Sequence, residues 1–133
     1  MSSLVLDTHA VIWFLDNSPR LSQVAREAIR AAITAGDPVF ISAVTVAEMT
    51  YLVEKSRLTA QQLADLLAAL HRADSGLVVV PFDLAVAECL PSVPRSIVPD
   101  MPDRMIAATA VHLGLPLVTR DARIQSAQIP TIW

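Results

Sequence analysis

Four short apolar segments, set apart by stretches of helical spacing, constrain the fold of this chain more than any other feature of it. Leu4–Leu6, Val39–Ile41, Leu77–Val80 and Leu117–Thr119 are nearly continuous apolar runs. They lack the in–out alternation of a half-exposed sheet, so both of their faces are expected to be covered. Between them the period is that of a helix. Val24, Ala25, Ala28, Ile29, Ala32 and Ile33 share one face of a helix over Ser22–Ala35, and Gly36-Asp37-Pro38 turns the chain. A helix runs from Ser42 to about Lys55, and another from Thr59 to Ala73 with Leu63, Leu66, Leu67 and Leu70 as its stripe. Thr8–Leu15 is apolar nearly all round. Asp83–Leu90 reads as a short helix, and the prolines between Pro91 and Pro102 as a loop. Met101–Leu113 is a helix closed by Gly114, Asp121 opens a last helical turn, and Ile129–Trp133 holds a short final strand. Strands alternating with helices imply an α/β fold: a three-layer α/β/α sandwich around a central, mainly parallel sheet. At 133 residues, with no repeat or linker, the expected organisation is one domain over residues 1–133.

Composition narrows the class of function. A 53% hydrophobic content supplies a real core and excludes disorder. The single cysteine, Cys89, allows no intramolecular disulfide, so a reducing, cytoplasmic compartment is expected. Cys89 has no paired histidine motif and reads as a core or half-buried helix residue. Asp7, His9 and Asp16 interrupt the first apolar stretch, against a signal peptide, and no run approaches the roughly 18 apolar residues that span a bilayer. A net charge of −3 argues against a simple electrostatic nucleic-acid binder. It leaves room for a nuclease whose acids are neutralised by metal.

The acids are placed where such chemistry needs them. In open α/β sheets ligands bind beyond the carboxyl ends of the strands. Asp7 directly follows the first strand, Asp121 follows the fourth after one residue, Glu48 lies about two helical turns beyond the second, and Asp103 opens the helix leading into the fourth. Each also has a structural reading. Asp7 and Asp121 suit helix N-caps, Thr45 and Glu48 fit a Thr-x-x-Glu capping box, and Asp100 suits a cap for the helix carrying Asp103. Caps, however, need not converge on one edge. A cluster of three or four carboxylates is repulsive unless protons or cations fill it, and an all-oxygen donor set selects Mg²⁺ or Mn²⁺ over zinc.

Other chemistries find no support. Gly36, Gly76 and Gly114 cannot assemble a dinucleotide or P-loop, and no Gly-x-Ser-x-Gly elbow is present. His9, His71 and His112 stand apart, read as exposed, and show no zinc spacing. Asp7-Thr8-His9 lacks the second aspartate of a haloacid-dehalogenase-like phosphatase.

Four segments together resemble the acidic motifs of PIN domains: Leu4 to Ala10, Ile41 to Glu48, Pro102 to Ala110 and Leu115 to Asp121. The resemblance covers essentially the whole chain and is greatest to VapC-type toxins of bacterial toxin–antitoxin pairs. It implies an Mg²⁺- or Mn²⁺-dependent endoribonuclease that hydrolyses RNA phosphodiesters with metal-activated water, using Asp7, Glu48, Asp103 and Asp121. Thr119 matches a small polar residue near the family's site. The family often reads Asp-Pro-Phe-Asp where this chain has Asp100-Met101-Pro102-Asp103, so Asp100 reads as an N-cap or as support for the ligands. Arg104 and Arg120 adjoin the acids, either to touch phosphate or to pair with the carboxylates. The resemblance also implies a homodimer and an antitoxin. The antitoxin is expected to lay a helix near the apolar Val11–Leu15 segment and to insert a basic residue at the acids. Two other readings stay open: a regulatory module that binds a cation and cleaves nothing, and a metal-dependent phosphohydrolase acting on small phosphoesters.

Overall fold

The computed structural model describes residues 2–133. In chain order the elements are β1 (Leu4–Leu6), α1 (Thr8–Leu15), α2 (Gln23–Ala35), β2 (Val39–Ser42), α3 (Ala43–Glu54), α4 (Ala60–His71), β3 (Leu77–Val80) and α5 (Leu84–Ala87). A 3₁₀ turn at Leu90–Ser92 precedes α6 (Met101–Leu113), β4 (Leu117–Val118), α7 (Ala122–Gln125) and β5 (Thr131–Ile132). The strands form one sheet in the order β3-β2-β1-β4-β5, with every pairing parallel.

Alternate residues of the strands feed two separate cores. Leu4 and Leu6 of β1, Val39 and Ile41 of β2 and Val118 of β4 pack with α1, α2 and α4. Val5 and Leu117 point the other way, into a core shared with Ile106, Ala107, Ala108 and Ala110 of α6. Small side chains on α6 let that helix lie close against the sheet. Both faces are thereby covered, as a parallel sheet requires.

Element ends follow the expected signals. Asp7, Ser22, Thr59, Asp83, Asp100 and Asp121 each cap the following helix through the side chain. Gly114 ends α6 in the left-handed region at φ 66°, where a Cβ would be strained.

Several expectations need correction. Thr45 and Glu48 are not a capping box. Ser42 is the cap, its Oγ accepting from Val44 N at 3.1 Å, so both residues lie inside α3 and their side chains are free for other partners. Leu67 of α4 is 37% exposed, outside the buried stripe. The β3 strand is buried at its ends only: as the outer strand it leaves Val78 and Val79 over 40% exposed, at 42% and 44%. On α1, Val11, Ile12 and Trp13 turn into the core, leaving only Phe14 and Leu15 half-buried. The proline-rich segment is anchored by Val93 and Val98, both buried. His9, His71 and His112 are exposed as expected, and Cys89 is half-buried. Among the described residues no helix is long and apolar enough to cross a membrane.

Candidate active site

The chain runs outward from β1 through β2 to β3, then returns to build β4 and β5 on the other side. The order therefore reverses between β1 and β4, where an open parallel sheet leaves a crevice. The join is fixed by Asp7 N donating to Val118 O at 3.1 Å. A cavity of about 620 Å³ opens there, lined by Asp7, Glu48, Asp100, Asp103 and Asp121 together with Thr8, His9, Trp13 and three arginines. The four acids singled out in the sequence, and Asp100, thus share one cavity although they come from α3, α6 and the ends of β1 and β4.

Each acid is held differently. Asp7 Oδ1 accepts from Ala10 N at 2.8 Å, which fixes the carboxyl at the mouth of α1. Asp121 Oδ1 accepts from Arg123 N at 2.8 Å, and its own N–H donates to Thr119 Oγ1 at 3.0 Å. Thr119 is fully buried, and its hydroxyl also bonds to Asp7, so one side chain ties the ends of β1 and β4 together. Glu48 Oε1 accepts from the Thr8 hydroxyl at 2.5 Å. Since that bond uses the one proton of Thr8, the 3.1 Å contact between the hydroxyls of Thr8 and Thr45 has Thr45 as donor. Asp103 stands in the first turn of α6, its N–H donating to Asp100 Oδ2 at 3.2 Å.

Burial and mutual repulsion resist ionisation here. Burial pushes the Asp7 carboxyl above the ordinary carboxylate range, with Asp121 adding to the rise against the hydrogen bonds from Thr119 and Ala10. Asp103 is raised to about 7, first by burial and then by the charges of Asp100, Asp121 and Glu48. Among the described residues no three acids, imidazoles or thiols are gathered tightly enough to enclose an ion unaided. The donors fit a hard divalent cation in kind, being all oxygen, and such a charge would reverse both pKa shifts.

Arg104 is not part of the cavity. Its Nε donates to Val93 O at 2.8 Å and its Nη2 to Leu90 O at 3.1 Å, so the guanidinium clamps the proline-rich loop to α6. The fork satisfies Val93 O, which has no backbone donor, and adds a second donor to Leu90 O beside Val93 N, and that fixes it away from the acids. Five lining residues lie outside the site read from the sequence: Thr8, His9, Trp13, Arg20 and Arg123, of which His9 reads there only as an exposed histidine and Trp13 only as apolar helix surface. Thr8 carried a signal, since a small polar residue directly after Asp7 begins α1 on the cavity side. Arg20 and Arg123 carried none.

Comparison with known proteins follows the same outline. The PIN domain family profile matches residues 4–129. Over 136 aligned residues the chain is 32% identical to Ribonuclease VapC22 of Mycobacterium tuberculosis, with both sequences covered in full. Among solved structures the fold is similar to a chain of VapBC2 from Rickettsia felis, bound to a DNA fragment from their promoter. The TM-score is 0.72 at 18% identity, covering 97% of this chain and 96% of that one. It is also similar to DNA-bound VapBC from Salmonella typhimurium, with a TM-score of 0.70 at 25% identity over 98% and 97% of the two chains.

Proposed function

This chain belongs to the PIN-domain family as a VapC-type ribonuclease, and on that premise we propose that Asp7, Glu48, Asp103 and Asp121 hold Mg²⁺ or Mn²⁺ against an RNA backbone for endonucleolytic hydrolysis. One observation carries the reading: four acids from distant parts of the chain line a single cavity at the strand-order reversal. When bound, such ions supply Lewis acidity, lowering the pKa of water and neutralising charge on the phosphodiester. The protein's share is positional. Thr119 keeps Asp7 and Asp121 in register, Thr8 and Thr45 orient Glu48, and Asp100 caps the turn that presents Asp103. Supporting groups of this kind fix ligand carboxylates that would otherwise swing apart.

Two protein partners accompany this reading, an antitoxin and a second copy of the chain. VapBC relatives were solved as complexes with DNA. On this chain, Phe14, Leu15 and Leu63 remain half-buried and Leu67 exposed on α1 and α4, which suits the apolar face of an antitoxin helix. A second cavity, which shares Glu48 and Asp100 with the first and is lined by Val44, Leu52, Pro102, Met105 and the exposed Tyr51, suits self-association.

Calorimetric titration of Mn²⁺ into antitoxin-free protein tests the metal assignment. Saturable binding lost in Asp7→Asn and in Asp103→Asn supports it, together with loss of RNA cleavage by both variants. A folded wild type that binds no Mn²⁺, alone or with a non-cleavable RNA, reduces the acids to helix caps.

A further inference from the structure

Beside its acids the cavity carries an aromatic and basic wall. Trp13, only 8% exposed, is fixed from behind by Trp133, with ring centroids 5.9 Å apart and planes at 60°. His9 lies one turn earlier on α1, on the same helix face, its ring 5.5 Å from that of Trp13 and tilted by 45°. The guanidinium carbon of Arg120 sits 4.8 Å from the Trp13 ring centroid. Although Arg120 adjoins Asp121, the one ion pair among the described residues is Arg72 with Asp74. Arg120 therefore rests on an indole and keeps its charge uncommitted.

We propose that Arg120, seated on Trp13, grips a phosphate of single-stranded RNA passing the four acids, with His9 stacking on the adjoining base. The proposal rests on the ribonuclease reading above and assigns residues to substrate positioning. A guanidinium presents paired N–H donors that match phosphate oxygens, and contact with an indole face fixes the plane of that fork before substrate arrives. Part of the ordering cost of binding is thereby met in the free protein. The exposed imidazole of His9 offers a second flat surface within the same cavity. Unpaired bases stack on such rings, whereas bases within a duplex are already stacked and out of reach.

The test uses a pool of ten-nucleotide single-stranded RNAs of random sequence, with Ca²⁺ in place of Mn²⁺ so that the strand is bound without being hydrolysed. In a Trp133→Phe background Trp13 is the only tryptophan, since the chain has two. Its fluorescence is expected to change saturably as single-stranded RNA is added. Arg120→Ala is expected to weaken binding on the order of tenfold and to make the slope of log affinity against log salt shallower by about 0.7. Arg120→Lys recovers the salt slope but only part of the affinity, and His9→Ala weakens binding by a smaller factor. Mn²⁺ titrations on the same variants separate the two ideas. Weakened RNA binding beside a flat wild-type Mn²⁺ titration defeats the metal reading and leaves the grip standing. Unchanged RNA affinity in Arg120→Ala, absence of RNA binding by the wild type, or equal affinity for duplex overturns the grip, whatever the metal result.

Discussion

The Thr8 hydroxyl donates to Glu48 Oε1 at 2.5 Å across 40 residues of sequence, while accepting from Thr45 on the same helix as Glu48. The relay joins the start of α1 to α3 and aims a mid-helix carboxylate at the cavity. Thr8→Val keeps the shape and removes the donor, leaving the Thr45 hydroxyl and a Glu48 oxygen short of a partner. We expect a stability loss of about 1–2 kcal/mol in urea denaturation. Mn²⁺ affinity should fall on the order of tenfold, as when an outer partner of a ligand is lost. Thr8→Ser keeps the donor and should recover most of the affinity; a Val variant with wild-type affinity would show that Glu48 needs no orientation.

Asp103 gives a stability prediction whose sign changes with metal. Its carboxyl is raised to about 7 in the fold from an ordinary value of 3.8. Between those values the folded state binds the proton and the unfolded chain does not, so metal-free stability falls as pH rises through that window and levels off above it. Asp103→Asn removes this contribution and leaves that of Asp7. At pH 8 with chelator the variant should exceed the wild type by about 2 kcal/mol, discounted for solvent screening of a half-buried group, and the gap should close as pH falls toward 4. Saturating Mn²⁺ should reverse the order, because only the wild type gains binding energy. Urea melts at pH 5 and pH 8, with and without Mn²⁺, check all four conditions. Wild-type Mn²⁺ affinity should also rise with pH up to about 7, since a proton must leave as the ion binds.

The same acids show what could be read from the sequence. The strands, all but the ends of the helices, and the parallel sheet follow from apolar period and capping residues, because these are local signals. Convergence of acids on this edge does not by itself mark a metal site. In a parallel sheet every strand-to-helix turn lies on one edge, so the capping acids Asp7 and Asp121 gather there whether or not they bind anything. The discriminating residues are Glu48 and Asp103, which cap nothing: one projects from the middle of α3, the other from the first turn of α6. Arg104 adjoins Asp103 in sequence but points away from it, since adjacency says nothing of direction. Its side chain serves carbonyls 11 and 14 residues earlier. The exposure of β3 depends on strand order, which no local pattern encodes.

Asp7 can have its two roles separated. Its Oδ1 caps α1 at Ala10 N, and burial opposes its charge. Asp7→Asn keeps an acceptor for the cap and removes the buried charge, so its metal-free stability at pH 8 should equal or slightly exceed that of the wild type. Asp7→Ala loses the cap and should be less stable than Asp7→Asn by about 1 kcal/mol. Both should abolish RNA cleavage and Mn²⁺ binding. Cleavage retained by Asp7→Asn but not by Asp7→Ala would mean that the cap alone matters.

Arg104 yields the complementary case, a residue beside the acids whose loss should spare them. Its guanidinium holds Val93 O and Leu90 O, and with them the proline-rich loop that precedes Asp100. Arg104→Ala leaves Val93 O unpartnered and takes one of two donors from Leu90 O, and should lower stability by about 1–3 kcal/mol. Arg104→Lys carries the charge but cannot fork, and should recover less than half of the loss. Since neither substitution touches the cavity lining, Mn²⁺ affinity at a temperature where both variants are folded should stay within about twofold of the wild type. A large loss of affinity with stability intact would place Arg104 back among the groups that act on the acids, and would mean that its fork breaks when the ion binds.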